Sequence, residues 1–97
     1  MRIQFDSAEK VRAGDIVILQ DVKIGAVKSV RIRTGGPAVV VIVLDKPADF
    51  PQGTGFILSY DIFGTPFISI EPGNGRLPID PGKVQKGTVK DSQIQKK

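Results

Sequence analysis

Apolar residues along this chain come in short runs that glycine, proline or polar residues interrupt every few positions. Runs of this length, many of them alternating with polar residues, are typical of β-strands. We therefore predict about seven short strands and no long helix. The predicted strands are Arg2–Phe5, Asp15–Leu19, residues 22–33, Ala38–Leu44, Gly55–Ser59, Phe67–Ile70 and Lys83–Val89.

The predicted strands differ in how much of their surface should be covered. Ala38–Leu44 is apolar at every position, so we predict a central strand that is covered on both faces. Asp15–Leu19 is also predicted to be buried. In Gly25–Arg33 the arginines point away from Val30 and Ile32, which indicates a half-buried strand with a basic outer face. This strand alternates well, although Ala26, Lys28, Val30 and Ile32 do not quite form one face.

Two further features complete the predicted fold. Residues 6–15 begin with the cap-like Asp6 and Ser7 and allow one turn of helix before Gly14. The phenylalanines are predicted to pack in the core at Phe5, Phe50, Phe56 and Phe67. Many short strands at regular spacing, with turns between them, predict a small β-barrel or sandwich.

The loop between two of the predicted strands breaks the usual rule for loops. Residues 60–65, which we call the tip, read Tyr-Asp-Ile-Phe-Gly-Thr. A loop that joins two strands is normally polar and solvated, yet this one carries Ile62 beside Phe63. Either the two side chains fold back into the core of their own barrel, or they form the working surface of the protein. The residues alone leave both interpretations open.

Composition supports a β-rich domain. The chain has 97 residues, of which 12 are Ile and 11 are Val, and β-branched residues favour strands. We predict one domain over residues 1–90 and a polar, lysine-rich tail over residues 91–97. No window approaches the 18 apolar residues of a membrane span, and nothing resembles a signal peptide. If the protein works outside the cytoplasm, we expect its targeting segment to lie outside this chain.

The net charge of +4 is unevenly spread along the chain. Residues 1–33 hold seven basic and four acidic side chains, and residues 76–97 hold six and two. The middle, residues 34–75, holds one basic and four acidic side chains. Solvated strand faces account for this distribution, and the alternative is a weakly bound anionic partner such as lipid headgroups or nucleic acid.

The residues offer little for catalysis. The chain has no histidine and no cysteine, so the usual general base, the thiolate nucleophile and the common transition-metal ligands are missing. The ten carboxylates are scattered and mostly lie beside turns or basic residues. The glycine-rich segments 53–55 and 73–75 are predicted to be turns, because neither leads into a helix that could hold a phosphate. We therefore expect no enzyme activity, no metal and no cofactor.

Part of the chain resembles a nucleic-acid-binding module. Residues 13–18 and 23–30 resemble the KOW motif of SH3-like ribosomal and transcription proteins in their sequence of glycine-aspartate, strand, turn and second strand. This resemblance implies a basic barrel that binds RNA or protein. Exposed aromatic residues for base stacking are missing, since the chain has no tryptophan and its one tyrosine lies in the tip.

A second resemblance extends over nearly the whole chain. Its segments follow, in order and spacing, those of the MCE (mammalian cell entry) domain, the MlaD-like module of bacterial and plastid lipid transporters. The matching segments are residues 5–8 and 11–17 at the start, residues 22–30 as a hairpin, Ala38–Leu44 as a central strand, Phe50-Pro51 with Thr54, residues 57–64 and 67–70 around the tip, and residues 81–84 with 87–88 at the end.

This resemblance implies a seven-stranded β-barrel that assembles into a homohexameric ring. It also implies that the tip faces the central pore, where Ile62 and Phe63 would form a channel for phospholipid tails and Gly64 would let the backbone turn. The candidate pore-lining residues are Tyr60, Asp61, Ile62, Phe63 and Gly64. The implied partners are phospholipid, copies of the same chain and the permease and ATPase subunits of an ABC transporter, with no nucleic acid.

The implied location is the periplasm or cell envelope, with inner-membrane anchoring through a segment outside this chain.

Two departures from the family pattern bear on the site. Asp61 stands where the family has glycine, and we expect aspartate to adopt the left-handed backbone conformation there. A ring of such carboxylates would make the pore more polar. The family also carries an N-terminal anchor and often a C-terminal helical extension, and neither is found in this chain.

Overall fold

Eight strands join into one sheet in the computed structural model, which describes residues 1–90. The predicted tail, residues 91–97, lies outside the described residues. The strands are β1 Arg2–Phe5, β2 Ile16–Leu19, β3 Val22–Ile32, β4 Ala38–Leu44, β5 Gly55–Tyr60, β6 Pro66–Glu71, β7 Gln85–Lys86 and β8 Thr88–Val89. Residues 6–15 form bends and turns, so the expected turn of helix is wrong. Across residues 1–90, no helix has the length and apolar character to cross a membrane.

The sheet closes into a barrel through its last segment. The strand order is β7-β1-β4-β3-β2-β6-β5-β8, so the two short final strands lie at its two ends. One residue, Gly87, separates β7 from β8, and the chain therefore passes directly from one edge of the sheet to the other. The prediction of an all-β barrel is confirmed. The eighth strand arises because the last predicted strand, Lys83–Val89, is divided in two at Gly87.

Gly87 makes this closure possible because the backbone lies directly on the core. A Cβ atom at this position would lie 2.6 Å from Phe5 Cδ1 and 2.8 Å from Ile3 Cγ2, closer than real atoms approach. The Gly87 amide donates to the carbonyl of Gln4 at 2.8 Å, and the Lys90 amide donates to that of Leu58 at 2.8 Å. The C-terminal segment is therefore bonded to β1 on one side and to β5 on the other.

The barrel interior is filled by the inward residues of the strands and by three loop residues, Ala8, Val11 and Phe50. Its largest fully buried side chains are Phe5, Phe56, Ile3, Ile42, Leu58, Ile68, Val17 and Val40. Phe50, in the loop before β5, packs edge-on against Phe56 with ring centroids 6.4 Å apart. The predicted core positions are thus confirmed for Phe5, Phe50 and Phe56. Phe67 is only half-buried and lies on the outer face, because β6 turns its even-numbered residues inward.

The two strands that were expected to be fully buried are covered on one face only. In β4 the residues Ala38, Val40 and Ile42 point inward, while Val43 is 53% exposed. In β2 Val17 is buried and Leu19 packs against the core, while Ile16 is 42% exposed. A single closed barrel has one interior, so an apolar run such as β4 keeps an uncovered apolar outer face in the isolated chain.

A β-bulge explains why Ala26, Lys28, Val30 and Ile32 do not form one face of β3. The pairing of β3 with β4 shifts register between Val27 and Ser29, which leaves Lys28 as an extra residue. Val27 therefore points inward, and after the bulge Ser29 and Arg31 point outward. The basic outer face predicted for this strand is confirmed at Arg31, which is exposed. Ile32, at the end of β3, is also exposed rather than half-buried.

Candidate functional site

The tip continues a regular hairpin. β5 and β6 pair along their full lengths, and the last pair is Tyr60 with Pro66. Beyond it the Asp61 amide donates to the Thr65 carbonyl at 3.0 Å, and the Gly64 amide donates to the Asp61 carbonyl at 2.9 Å. These bonds make residues 61–65 a compact turn at the end of a fixed strand pair.

The Asp61 side chain holds this turn together. Its Oδ1 atom accepts hydrogen bonds from the amide of Phe63 at 2.8 Å and from that of Thr65 at 2.9 Å. Asp61 does not adopt the left-handed conformation that we expected of it, whereas Gly64 does, with φ of 81°. The turn forms because the carboxylate satisfies two loop amides and because glycine tolerates positive φ. One carboxylate oxygen is thereby turned toward the backbone of its own loop.

Ile62 and Phe63 point away from the barrel. Their side chains are 78% and 84% exposed, the highest values among the large exposed apolar residues of the described chain. The interpretation in which they fold back into the core of their own barrel is therefore wrong. The structure presents two adjacent apolar side chains on a turn that is already ordered, so contact with an apolar partner requires no refolding of the loop.

A contact that the sequence did not indicate supports the base of the tip. The Tyr60 hydroxyl donates to the backbone carbonyl of Glu9 at 2.7 Å, which ties the loop of residues 6–15 to the end of β5. Burial raises the pKa of the Tyr60 phenol, and the carboxylates of Glu9 and Asp15 raise it further. Lys10, which has a φ of 65°, brings its Nζ to 3.9 Å from the position of a Cβ on Gly64. No local pattern marks these pairs, because they are about fifty residues apart.

The two glycine-rich segments, residues 53–55 and 73–75, have a structural role. The Gly75 amide donates to the Gln52 carbonyl at 2.9 Å and the Gly73 amide to Thr54 Oγ1 at 3.1 Å, so the two glycine-rich segments pack against each other. Neither leads into a helix, as predicted. Among residues 1–90, no three or more acidic side chains come together in a group that could hold a metal ion.

Removal of the Asp61 carboxylate should loosen the tip. In Asp61→Ala two loop amides lose their acceptor, and we expect a loss of about 0.5–2 kcal/mol in stability, as for other side chains that cap backbone amides. Amide hydrogen exchange at Phe63 and Thr65 should accelerate in the same variant. Asp61→Asn keeps an Oδ1 acceptor and serves as the control. Equal exchange rates in both variants and the wild type would contradict this role of the side chain.

A closed β-barrel with an ordered, exposed apolar tip defines the chain as a small all-β module with one apolar hairpin loop at its surface. Within that class the assignment is specific, because residues 1–73 match the model of the MlaD protein family. The chain belongs to the MlaD protein family, and its resemblance to an MCE domain is confirmed. It is thus a module of the lipid-transport type.

The fold is also found in a solved structure. A chain of the Acinetobacter MlaFEDB complex in its ATP-bound Vtrans1 conformation superposes with a TM-score of 0.70 at 15% sequence identity. The alignment covers 96% of this chain and 73% of that chain. No curated protein matches the sequence. The family match includes residues 13–30, the segment on which the SH3-like interpretation rested, so the MCE interpretation replaces it.

Proposed function

We propose that this chain is a non-enzymatic lipid-handling module that works as a homohexameric ring, with Ile62 and Phe63 lining a central pore for phospholipid. The observation that carries the proposal is the exposure of both side chains, 78% and 84%, on a turn held by its own hydrogen bonds. Membership of the MlaD protein family supports a role in lipid transport.

The physical advantage of a ring lies in how it combines small apolar surfaces. On one barrel the two side chains form a patch too small to hold an acyl chain away from water. Copies of the tip arranged around an axis would place these patches side by side and create a continuous apolar lining. Tyr60 and Asp61 would position that lining, and Gly64 would give the turn its shape.

The partners and location follow from the same proposal. We propose that the ring stands in the periplasm or cell envelope and passes phospholipid to or from the permease and ATPase subunits of an ABC transporter. The structural similarity to a chain of the Acinetobacter MlaFEDB complex supports this arrangement. Residues 1–90 would form the barrel domain and residues 91–97 a polar tail, and no nucleic acid is expected to bind.

Oligomeric state and bound lipid test the proposal together. Native mass spectrometry of the purified protein should show one large oligomer, and solvent extraction followed by mass spectrometry should recover phospholipid from it. A protein that remains a monomer at all concentrations would contradict the pore on which the mechanism depends.

A further inference from the structure

One side of the barrel has an outer face that is apolar and basic. The outward residues of β4 are Val39, Val41 and Val43, and the half-buried first two do not pack on the core. Arg31 of β3 lies opposite Val39, and Arg2 of β1 lies opposite Val41. A groove of about 670 Å³ crosses this face, and within residues 1–90 three arginines and no carboxylate line it. We call this surface the basic face; its arginines are Arg2, Arg31 and Arg33.

Another side of the barrel has an outer face that is apolar and acidic. Ile16 and Ile18 of β2, Phe67 of β6 and Ile57 of β5 point outward and do not pack on the core. Glu71 is the one charged residue at the outward positions of β2, β5 and β6. A cavity of about 280 Å³ at the end of this face is lined by Glu71 and Asp21. No described basic residue lines it, and we call this surface the acidic face.

The two faces are centred on β4 and β6, on nearly opposite sides of the barrel, and they adjoin where β3 of the basic face pairs with β2 of the acidic face. Strands β3 and β2 separate β4 from β6 in one direction around the barrel. In the other direction β1, the C-terminal segment and β5 separate them. Both faces are apolar where the solvent-facing side of a sheet is normally polar, which indicates that each is covered in the working protein.

We propose that the acidic face of one copy of this chain binds the basic face of the next copy. Glu71 and Asp21 would then approach Arg31 and Arg33 of the neighbouring copy, while the apolar residues of both faces leave water together. The charge complementarity favours a second copy as the occupant, because the charged residues that line the groove of one face are basic and those that line the cavity of the other are acidic. This inference rests on the ring of the proposed function and identifies the surfaces that build it.

A contact between two different faces repeats head to tail. Such a contact leaves one free face at each end of a chain of copies, and the series ends only when it closes on itself. The acidic face includes both strands that carry the tip. Each added copy therefore places its tip beside the tip of the previous copy, in the same relative position. The apolar lining around one tip is complete only when the neighbouring copy is present.

Charge reversal tests the pairing. Arg31→Glu with Arg33→Glu gives the basic face a net acidic charge, since Arg2 is its one remaining arginine. Asp21→Arg with Glu71→Arg makes both faces basic. Like charges then oppose each other, and we expect self-association to weaken by about tenfold or more in each variant. Native mass spectrometry and light scattering would measure this change. The substituted residues are exposed, and circular dichroism would confirm that the fold is retained.

Mixing the two variants makes the test specific. An equal mixture should recover large oligomers that contain both variants in equal number, because the acidic faces of one fit the basic faces of the other. Lys46→Glu with Arg76→Glu, a double reversal outside both faces, should assemble as the wild type does. If both charge-reversed variants assemble alone, or the mixture stays monomeric, the pairing of faces is overturned while a wild-type ring stands. A monomeric wild type would overturn the proposed ring itself.

Discussion

Replacement of Ile62 and Phe63 by asparagine is expected to remove phospholipid from the purified protein while the barrel stays folded. The two side chains are 78% and 84% exposed, so they contribute little to the core, and we expect stability to change by about 0.5 kcal/mol or less. The amide groups would place polar atoms where an acyl chain has to lie, and that costs binding free energy. We expect the lipid recovered by solvent extraction to fall by about tenfold or more.

A matched variant tests whether the effect depends on the tip itself or on the loss of exposed apolar surface anywhere on the protein. Val22→Asn with Leu77→Asn removes side chains that are 61% and 66% exposed, and both lie outside the tip. This control should retain lipid at the wild-type level and keep the same oligomer. If the tip variant also retains its lipid, the pore assignment of Ile62 and Phe63 is wrong, whatever the oligomeric state.

Gly87→Ala is expected to be among the most destabilising single changes in this chain. The added methyl group would lie 2.6 Å from Phe5 Cδ1, and neither the ring nor the backbone that closes the sheet has room to move without disturbing the other. Overpacking of this kind costs about 1–3 kcal/mol. For a domain of this size, each kcal/mol corresponds to a decrease of about 4–8 °C in the melting temperature.

Chemical denaturation would measure the effect, with Gly55→Ala as the matched control. Gly55 lies in β5, and a Cβ there would first meet Glu71 Cβ at 3.9 Å, an ordinary contact. Alanine at that position should be neutral or slightly stabilising, since it reduces the freedom of the unfolded chain. Equal stability of Gly87→Ala and the wild type would show that the C-terminal segment does not lie on the core as the structure has it.

Several strands of this protein are determined by the local sequence. β1 and β4 begin and end where the alternating or apolar runs do. β5 extends one residue beyond its predicted end, and β6 extends one residue beyond its prediction at each end. The reason is that turn residues on either side limit each run and that β-branched residues favour extended backbone. The unusual apolar pair of the tip was also visible in the sequence, since a polar loop is the norm between two strands.

Tertiary structure decides whether each face of a strand is buried or exposed. Phe67 resembles a core residue in sequence, yet it lies on the outer face because its parity in β6 opposes that of Ile68. The apolar run of β4 could not reveal that only one of its faces would be covered. Which face is buried depends on pairing with strands that are distant in the sequence, and the residues of a single run do not determine that pairing.

The closure of the barrel and the form of the tip were likewise decided by contacts between distant residues. In the sequence Gly87 resembles an ordinary strand glycine, and only the structure places Phe5 directly beneath it. Tyr60 is bonded to Glu9, fifty-one positions away. Asp61 was expected to bend its backbone, and its side chain instead accepts the loop amides. The sequence determined that an apolar tip exists; only the folded chain showed that it is ordered and exposed, because both properties arise from hydrogen bonds and packing in three dimensions.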